Sequence, residues 1–380
     1  MKSLVVGFSR MHGNGGGIFA TLAYVNAMAR IADETVFLFP SDDLAEDTRI
    51  DGRVRQIPVR DQEGKLGKMK RIIFRGVLHR FETCFRELLA KERFDIVTFH
   101  NSKASRHLID LAHTHGAKVI TVHNNYERDY TVDNVQGFLL PFILPSTVAG
   151  ERESVRKSDL NIVLCEKDEE LLRSHYDPQR KSVLGRLGVF EYRESVLSAH
   201  PDVKEPVFVI TGNLSAKQTI DSLLPWLSSY WPILKGRVPE ARLVVAGKQP
   251  GKRLQEAVAL AGGELVDTPP DMSVVLNRGR YYVGPTCKGG GVKLRVMDGL
   301  RAGLPVLCHE VSARGYEPFF DVTLFRYGDP GSFRTALDRM LSATPDVESA
   351  LSCYRNAFSF EAGTKRLEEL MKCLWTVRTF

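Results

Sequence analysis

The stretch at 281–317, YYVGPTCKGGGVKLRVMDGLRAGLPVLCHEVSARGYE, restricts the fold more than any other part of the chain. A β-type apolar run ends at Pro285, and Gly289, Gly290 and Gly291 follow. Leu294, Val296, Met297 and Leu300 recur at helical spacing, which predicts a helix over 292–301 that Gly303 stops. A second apolar strand is expected at 305–308. Strand, glycine loop, helix and strand in that order form one unit of a parallel α/β sheet. Such a loop leaves backbone N–H groups and the positive end of a helix dipole directed at one point, a site suited to a phosphate or diphosphate. Lys293, expected just inside the helix, adds a full positive charge there.

The same alternation runs through the chain. In the first half, strands are expected at 3–8, 35–39, 95–100, 118–123, 161–165 and 183–187. Helices are expected at 18–31, 102–115, 151–158 and 167–174, with a loop and an apolar segment over 124–146. Periodicity is lost over 193–206, which reads as a linker. Strands then follow at 207–212, 242–247, 264–267 and 324–327, with helices at 218–233, 252–261, 330–341 and 347–358. A chain of 380 residues is too long for one ordinary core. The expected domains are 1–192 and 207–358, with a terminal helix within 359–380 that packs back on the first domain. Both halves are doubly wound and Rossmann-like, facing each other across a cleft.

Composition excludes several classes. At 43% hydrophobic and 26% charged residues the chain is globular. A net charge of +6 without an aromatic-basic motif does not call for nucleic acid. Six scattered cysteines without a C-x-x-C pair argue against zinc and against a disulfide framework, and point to a cytoplasmic protein. The N-terminal MKSLVVGFSRMHG reads as a strand and a glycine loop, not a signal peptide. The apolar run 135–149 is interrupted by Pro141 and Pro145 and is too short to span a bilayer. The basic segment 65–93 reads as a solvated helix face over a core stripe, or as a peripheral contact with anionic lipid at the inner face of a membrane.

The candidate chemistry lies at strand ends. Gly13, Gly15 and Gly16 do not keep the G-x-G-x-x-G register, and Asp42 is loosely placed for a ribose acid, which disfavours NAD. The chain has no D-x-D, so a diphosphate must be met by backbone N–H groups, Lys and Arg. Lys217 and Lys293 each follow a strand of the second half and suit that task. A single histidine is ordinarily a core residue with its hydrogen bonds made. His100 and His123 close two strands of one sheet, where ligands of open α/β sheets bind.

Residues TGNLSAKQTIDSLLPWLSSYWPILKGRVPEARLVVAGKQP and PPDMSVVLNRGRYYVGPTCKGGGVKLRVMDGLRAGLPVL resemble the second domain of the group 1 glycosyltransferases, the large retaining family called GT4. Gly15, Gly16 and Gly17 before a helix, a strand ending in His123, and Glu151 with Ser158 and Asp159 before a strand extend the resemblance to the first half. The resemblance implies a GT-B fold, two facing Rossmann-like domains with a C-terminal crossover helix. It implies a metal-independent hexosyltransferase without a cofactor. The donor would be a UDP- or GDP-linked sugar and the acceptor a glycan or lipid-linked molecule, as in surface polysaccharide or glycoconjugate synthesis. Residue by residue, it implies that His123 bonds a donor-sugar hydroxyl and that Lys217 binds the diphosphate. It assigns Gly16, Gly17, Asn213, Gly289, Gly290, Gly291, Val292, Lys293 and Asp298 to the donor, with His100 and Asn124 on the acceptor side. Asn213 stands where many members carry Arg. Of the family's E-x7-E pair, the first acid falls at Gly290 and the second is Asp298, and Gly299 replaces the usual Ala. Those departures keep open a second reading, a non-catalytic sugar-nucleotide binder or partner subunit of the same fold.

Overall fold

The computed structural model describes residues 1–11, 13, 15–60, 79–102, 106–135, 137–194, 197, 203–343 and 346–375. The chain divides into two compact units, Met1–Glu194 with Phe358–Phe380, and Ser195–Ala357. Half of the expected linker 193–206, residues 65–78 of the basic segment and the end of the terminal helix lie outside the described residues.

The first unit holds β1 (Lys2–Gly7), β2 (Glu34–Ser41), β3 (Val54–Arg60), β4 (Ile96–His100), β5 (Lys118–His123), β6 (Leu160–Val163) and β7 (Leu184–Arg186). They form one parallel sheet in the order β3-β2-β1-β4-β5-β6-β7. The central strands are buried throughout, as near-continuous Val, Ile and Leu runs require when helices cover both faces. Helices α1 (Gly16–Ile31), α2 (His79–Lys91), α3 (Arg106–Thr114), α4 (Glu127–Asn134), α5 (Leu140–Lys157) and α6 (Glu166–Tyr176) complete the layers. The order reverses between β1 and β4, so the sheet's switch point lies at their carboxyl ends.

Two expectations change here. The first helix starts at Gly16, so Gly16 and Gly17 belong to its first turn. The apolar segment is the first half of α5, not a loop before a helix at 151. Pro141 sits in the first turn, where its missing N–H has no partner to lose. Phe138 and Phe142 remain 71% and 64% exposed.

The second unit holds β8 (Val207–Asn213), β9 (Arg242–Lys248), β10 (Glu264–Asp267), β11 (Tyr281–Gly284), β12 (Val306–His309) and β13 (Leu324–Tyr327), parallel and in the order β10-β9-β8-β11-β12-β13. Its switch point lies between β8 and β11. The helix expected over 218–233 is two, α7 (Lys217–Ser229) and α8 (Trp231–Arg237), because Pro232 suits only a first turn. After α9 (Lys252–Leu260) and α10 (Met272–Leu276), helix α11 covers only Arg295–Arg301. Lys293 therefore precedes the helix. Gly291, at φ 70°, turns the chain, and the Lys293 carbonyl accepts from Val296 N and from the Tyr316 hydroxyl, which fixes a tight turn ahead of it.

Helices α12 (Pro330–Ser342) and α13 (Val347–Phe358) lead to α14 (Phe360–Met371), which belongs to the first unit. Ser359 caps α14 through Ala362 N. A Cβ on Gly363 would lie 2.1 Å from the Phe190 ring, and Arg366 Nε donates to Leu187 O at 3.3 Å. These contacts join the C-terminal helix to the first unit. Among the described residues, no helix is long and apolar enough to cross a membrane.

Candidate functional site

The second unit's switch point is built from two loops. At the end of β8, Asn213 Oδ1 accepts from Ser215 N and Oγ, and this turn delivers Lys217 to the start of α7. Gly247 closes the neighbouring strand at φ 156°, and a Cβ there would lie 1.9 Å from Gly212 O, so only glycine fits. Lys217 is 74% exposed, with Nζ 2.7 Å from Asp221 Oδ2. That hydrogen bond holds the Asp221 carboxyl below its usual range, with Lys288 and Arg253 adding attraction. Three cations thus act on Asp221 in α7. Lys288 and Arg253 escaped the sequence reading. Lys288 directly before the glycines is a signal that was there to use.

The second loop follows β11. Cys287 N donates to Ser222 Oγ at 3.2 Å, and a Cβ on Gly289 would lie 2.3 Å from Gln218 Nε2. The loop therefore rests on α7, and Gly289 is glycine because its φ of 85° demands it. The structure brings together Asn213, Lys217, Gly289, Gly290 and Gly291. Lys293 Nζ donates to Gly290 O at 2.7 Å, which ties the ammonium to the loop's own backbone. Asp298 Oδ2 accepts from Thr211 Oγ1 at 3.0 Å, Thr211 Oγ1 lies 2.8 Å from Tyr282 Oη, and Arg301 and Arg295 flank the carboxylate at 3.4 and 3.6 Å. Asp298 thus ties α11 to β8 and β11. Gly299 has its reason here, since a Cβ would lie 2.5 Å from the Tyr282 ring.

The first unit's switch point has another character. Thr21 Oγ1 donates to Gly17 O at 2.9 Å and lies 3.1 Å from His100 Nδ1, with Asn124 Nδ2 at 3.4 Å from the same nitrogen. The start of α1 is thereby joined to the ends of β4 and β5. His100 is 3% exposed and His123 is fully buried. Burial lowers both imidazoles to about 4, so both are neutral at physiological pH. His123 Nε2 donates to Asn161 Oδ1 at 2.9 Å, because Asn161 Nδ2 itself donates to Val155 O and Val183 O. The His123 ring therefore faces β6, and its Nδ1 carries the lone pair.

Several residues here were missed. Arg49 donates to Gly13 O at 2.7 Å and to Met11 O at 2.5 Å, while Asp47 holds the same guanidinium from behind at 2.6 and 2.8 Å. This clamp fixes the carbonyls of the first glycine loop. Asn101 has φ 116°, a strained conformation for a residue with a Cβ, directly after His100. Its Nδ2 donates to Glu127 Oε1 at 3.1 Å. Apart from Asp47 and Arg49, which stand two residues apart, these partners have no local sequence signal, since they are far apart in the chain. Among the described residues, no group of three His, Cys, Asp or Glu side chains is arranged to hold a metal ion.

Residues 205–343 match the family Glycosyl transferases group 1. No curated protein sequence matches the chain. Solved structures similar to it include sucrose-phosphate synthase from Thermosynechococcus elongatus, with 13% identity and TM-score 0.72 over 98% of this chain and 99% of that one. A glycosyltransferase from Rickettsia africae has 12% identity and TM-score 0.65 over 99% and 100%. A UDP-forming α,α-trehalose-phosphate synthase from Burkholderia xenovorans has 11% identity and TM-score 0.64 over all of both chains. The fold is that of the GT-B glycosyltransferases, with two Rossmann-like units and a C-terminal helix that returns to the first.

Proposed function

We propose, from the match of residues 205–343 to the group 1 glycosyl transferases, that the chain transfers a hexose from a nucleotide diphosphate sugar to a glycan or lipid-linked acceptor, with retention and without a metal ion. The observation that carries this reading is the cationic edge at β8 and β11, where Lys217, Lys288 and Arg253 all act on Asp221 beside the loop of Gly289, Gly290 and Gly291. As the glycosidic bond breaks, negative charge builds on the leaving diphosphate. Lys217, Lys288 and the N–H groups of the two loops stabilise that charge. Gly16 and Gly17 approach the donor, His100 and Asn124 serve the acceptor, and the lone pair of His123 Nδ1 accepts a sugar hydroxyl. UDP is the favoured donor nucleotide, in line with the UDP-forming synthase that shares the fold.

Incubation with UDP- and GDP-hexoses, in buffer with and without EDTA, tests the reading. Release of nucleotide diphosphate, equal in both buffers, is expected. No binding and no hydrolysis of any donor would sink it. The bonds of Asp298 to Thr211 and to two arginines favour one second reading, a sugar-nucleotide binder without turnover. Donor binding with no transfer or hydrolysis is its signature.

A further inference from the structure

We infer that Glu151 is the positioning residue of the first unit's sheet edge: its carboxyl group caps helix α4 from a neighbouring helix and so fixes the segment that follows His123. Helix α4 begins after Tyr126, whose side chain makes no capping hydrogen bond. The first N–H groups of a helix need acceptors. Glu151, on α5, supplies one, since Glu127 N donates to its Oε1 at 2.7 Å. On the other side, the Tyr176 hydroxyl of α6 donates to Glu151 Oε2 at 3.0 Å. Glu151 is fully buried, and Glu127 is 1% exposed. Through Glu127 the contact reaches Asn101, the strained residue after His100. One carboxyl group therefore joins α4, α5 and α6 to the ends of β4 and β5.

Glu151 faces Tyr126, Glu127 and Arg128 at the start of α4 and Tyr176 on α6, with His175 packed against Tyr126. Among the described residues it has no ion pair. Burial first, and then the neighbouring Glu127 charge, push its carboxyl up to about 8, against the α4 amides and Tyr176, which favour the charged form. The folded edge therefore holds a proton that an opened edge releases near the ordinary carboxylate range. The sign follows: the contribution of Glu151 is fully present below about pH 4.5 and is lost as pH rises to about 8, so opening becomes easier over that range.

The inference rests on the acceptor-side reading of this edge, but its test needs no substrate. Hydrogen exchange of the full chain is measured over 124–134, corrected for intrinsic rates, between about pH 5 and about pH 8. Wild-type protection should fall about tenfold or more across that range. Glu151→Gln keeps an acceptor for Glu127 N and cannot ionise, so its protection should stay flat. Glu151→Ala should lose protection at both ends. The same pH dependence in Glu151→Gln as in wild type overturns the inference, and so does wild-type protection in Glu151→Ala. Either failure leaves the donor reading standing, because that reading is decided by nucleotide binding to the other unit.

Discussion

The two switch points are built from opposite materials. At the second unit's edge the candidate groups are charged and open: Lys217 is 74% exposed, and Lys217, Lys288 and Arg253 all act on Asp221. At the first unit's edge they are buried, with His100, His123, Glu127 and Glu151 almost wholly out of water and both histidines neutral. Exposed cations suit an anion that arrives with its own charge, and they keep their hydration until it does. Buried, cross-braced polar groups suit orientation, since few of them can move without leaving a partner unsatisfied. One fold thus carries a charge-binding edge and an aligning edge. The first should respond to salt, which screens exposed charge, and the second to pH.

The largest effect expected is on the aligning edge. His100 and His123 are neutral when folded, with values lowered to about 4, whereas an unfolded imidazole takes up its proton near pH 6.5. Stability from this pair is fully present above about pH 6.5 and is lost as pH falls towards about 4, by several kcal/mol in total. Amide exchange in β4 and β5 across that range checks it. Acid-insensitive protection of these strands would break the comparison. Next comes Gly299→Ala. Its Cβ would collide with the buried Tyr282 ring at 2.5 Å, which should cost about 2–3 kcal/mol in the second unit's thermal unfolding. A wild-type melting temperature would mean that α11 moves away from β11 without difficulty. The smallest is Lys217→Ala, which should weaken binding of a nucleoside diphosphate about tenfold in calorimetry and reduce its salt dependence. Its melting temperature should be unchanged, because the exposed pair with Asp221 adds little to stability. Unchanged affinity would remove Lys217 from the site.

Much of the scaffold was legible beforehand. The strands Lys118–His123, Glu264–Asp267 and Leu324–Tyr327 lie where they were expected, the first because a parallel strand buried on both faces has no other pattern available. Both glycine loops and the returning terminal helix were also readable. What escaped are contacts between distant residues. Nothing near Glu151 in sequence announces that it caps a helix starting at Glu127, nor that Arg49 grips the carbonyl of Gly13. The position of Lys293 was misread for a local reason: Leu294 keeps the helical spacing of Val296, Met297 and Leu300 although it stands in the tight turn just before the helix. Gly299 looked like a mere departure from alanine until the Tyr282 ring stood beside it.

The central claim is that the cationic edge, and not the buried one, receives a nucleotide diphosphate. Hydrogen exchange of the full chain with and without saturating UDP or GDP tests it directly. The account predicts new protection over 213–222 and 286–295, with little change over 118–134. Protection confined to the first unit, or none with either nucleotide, would contradict it.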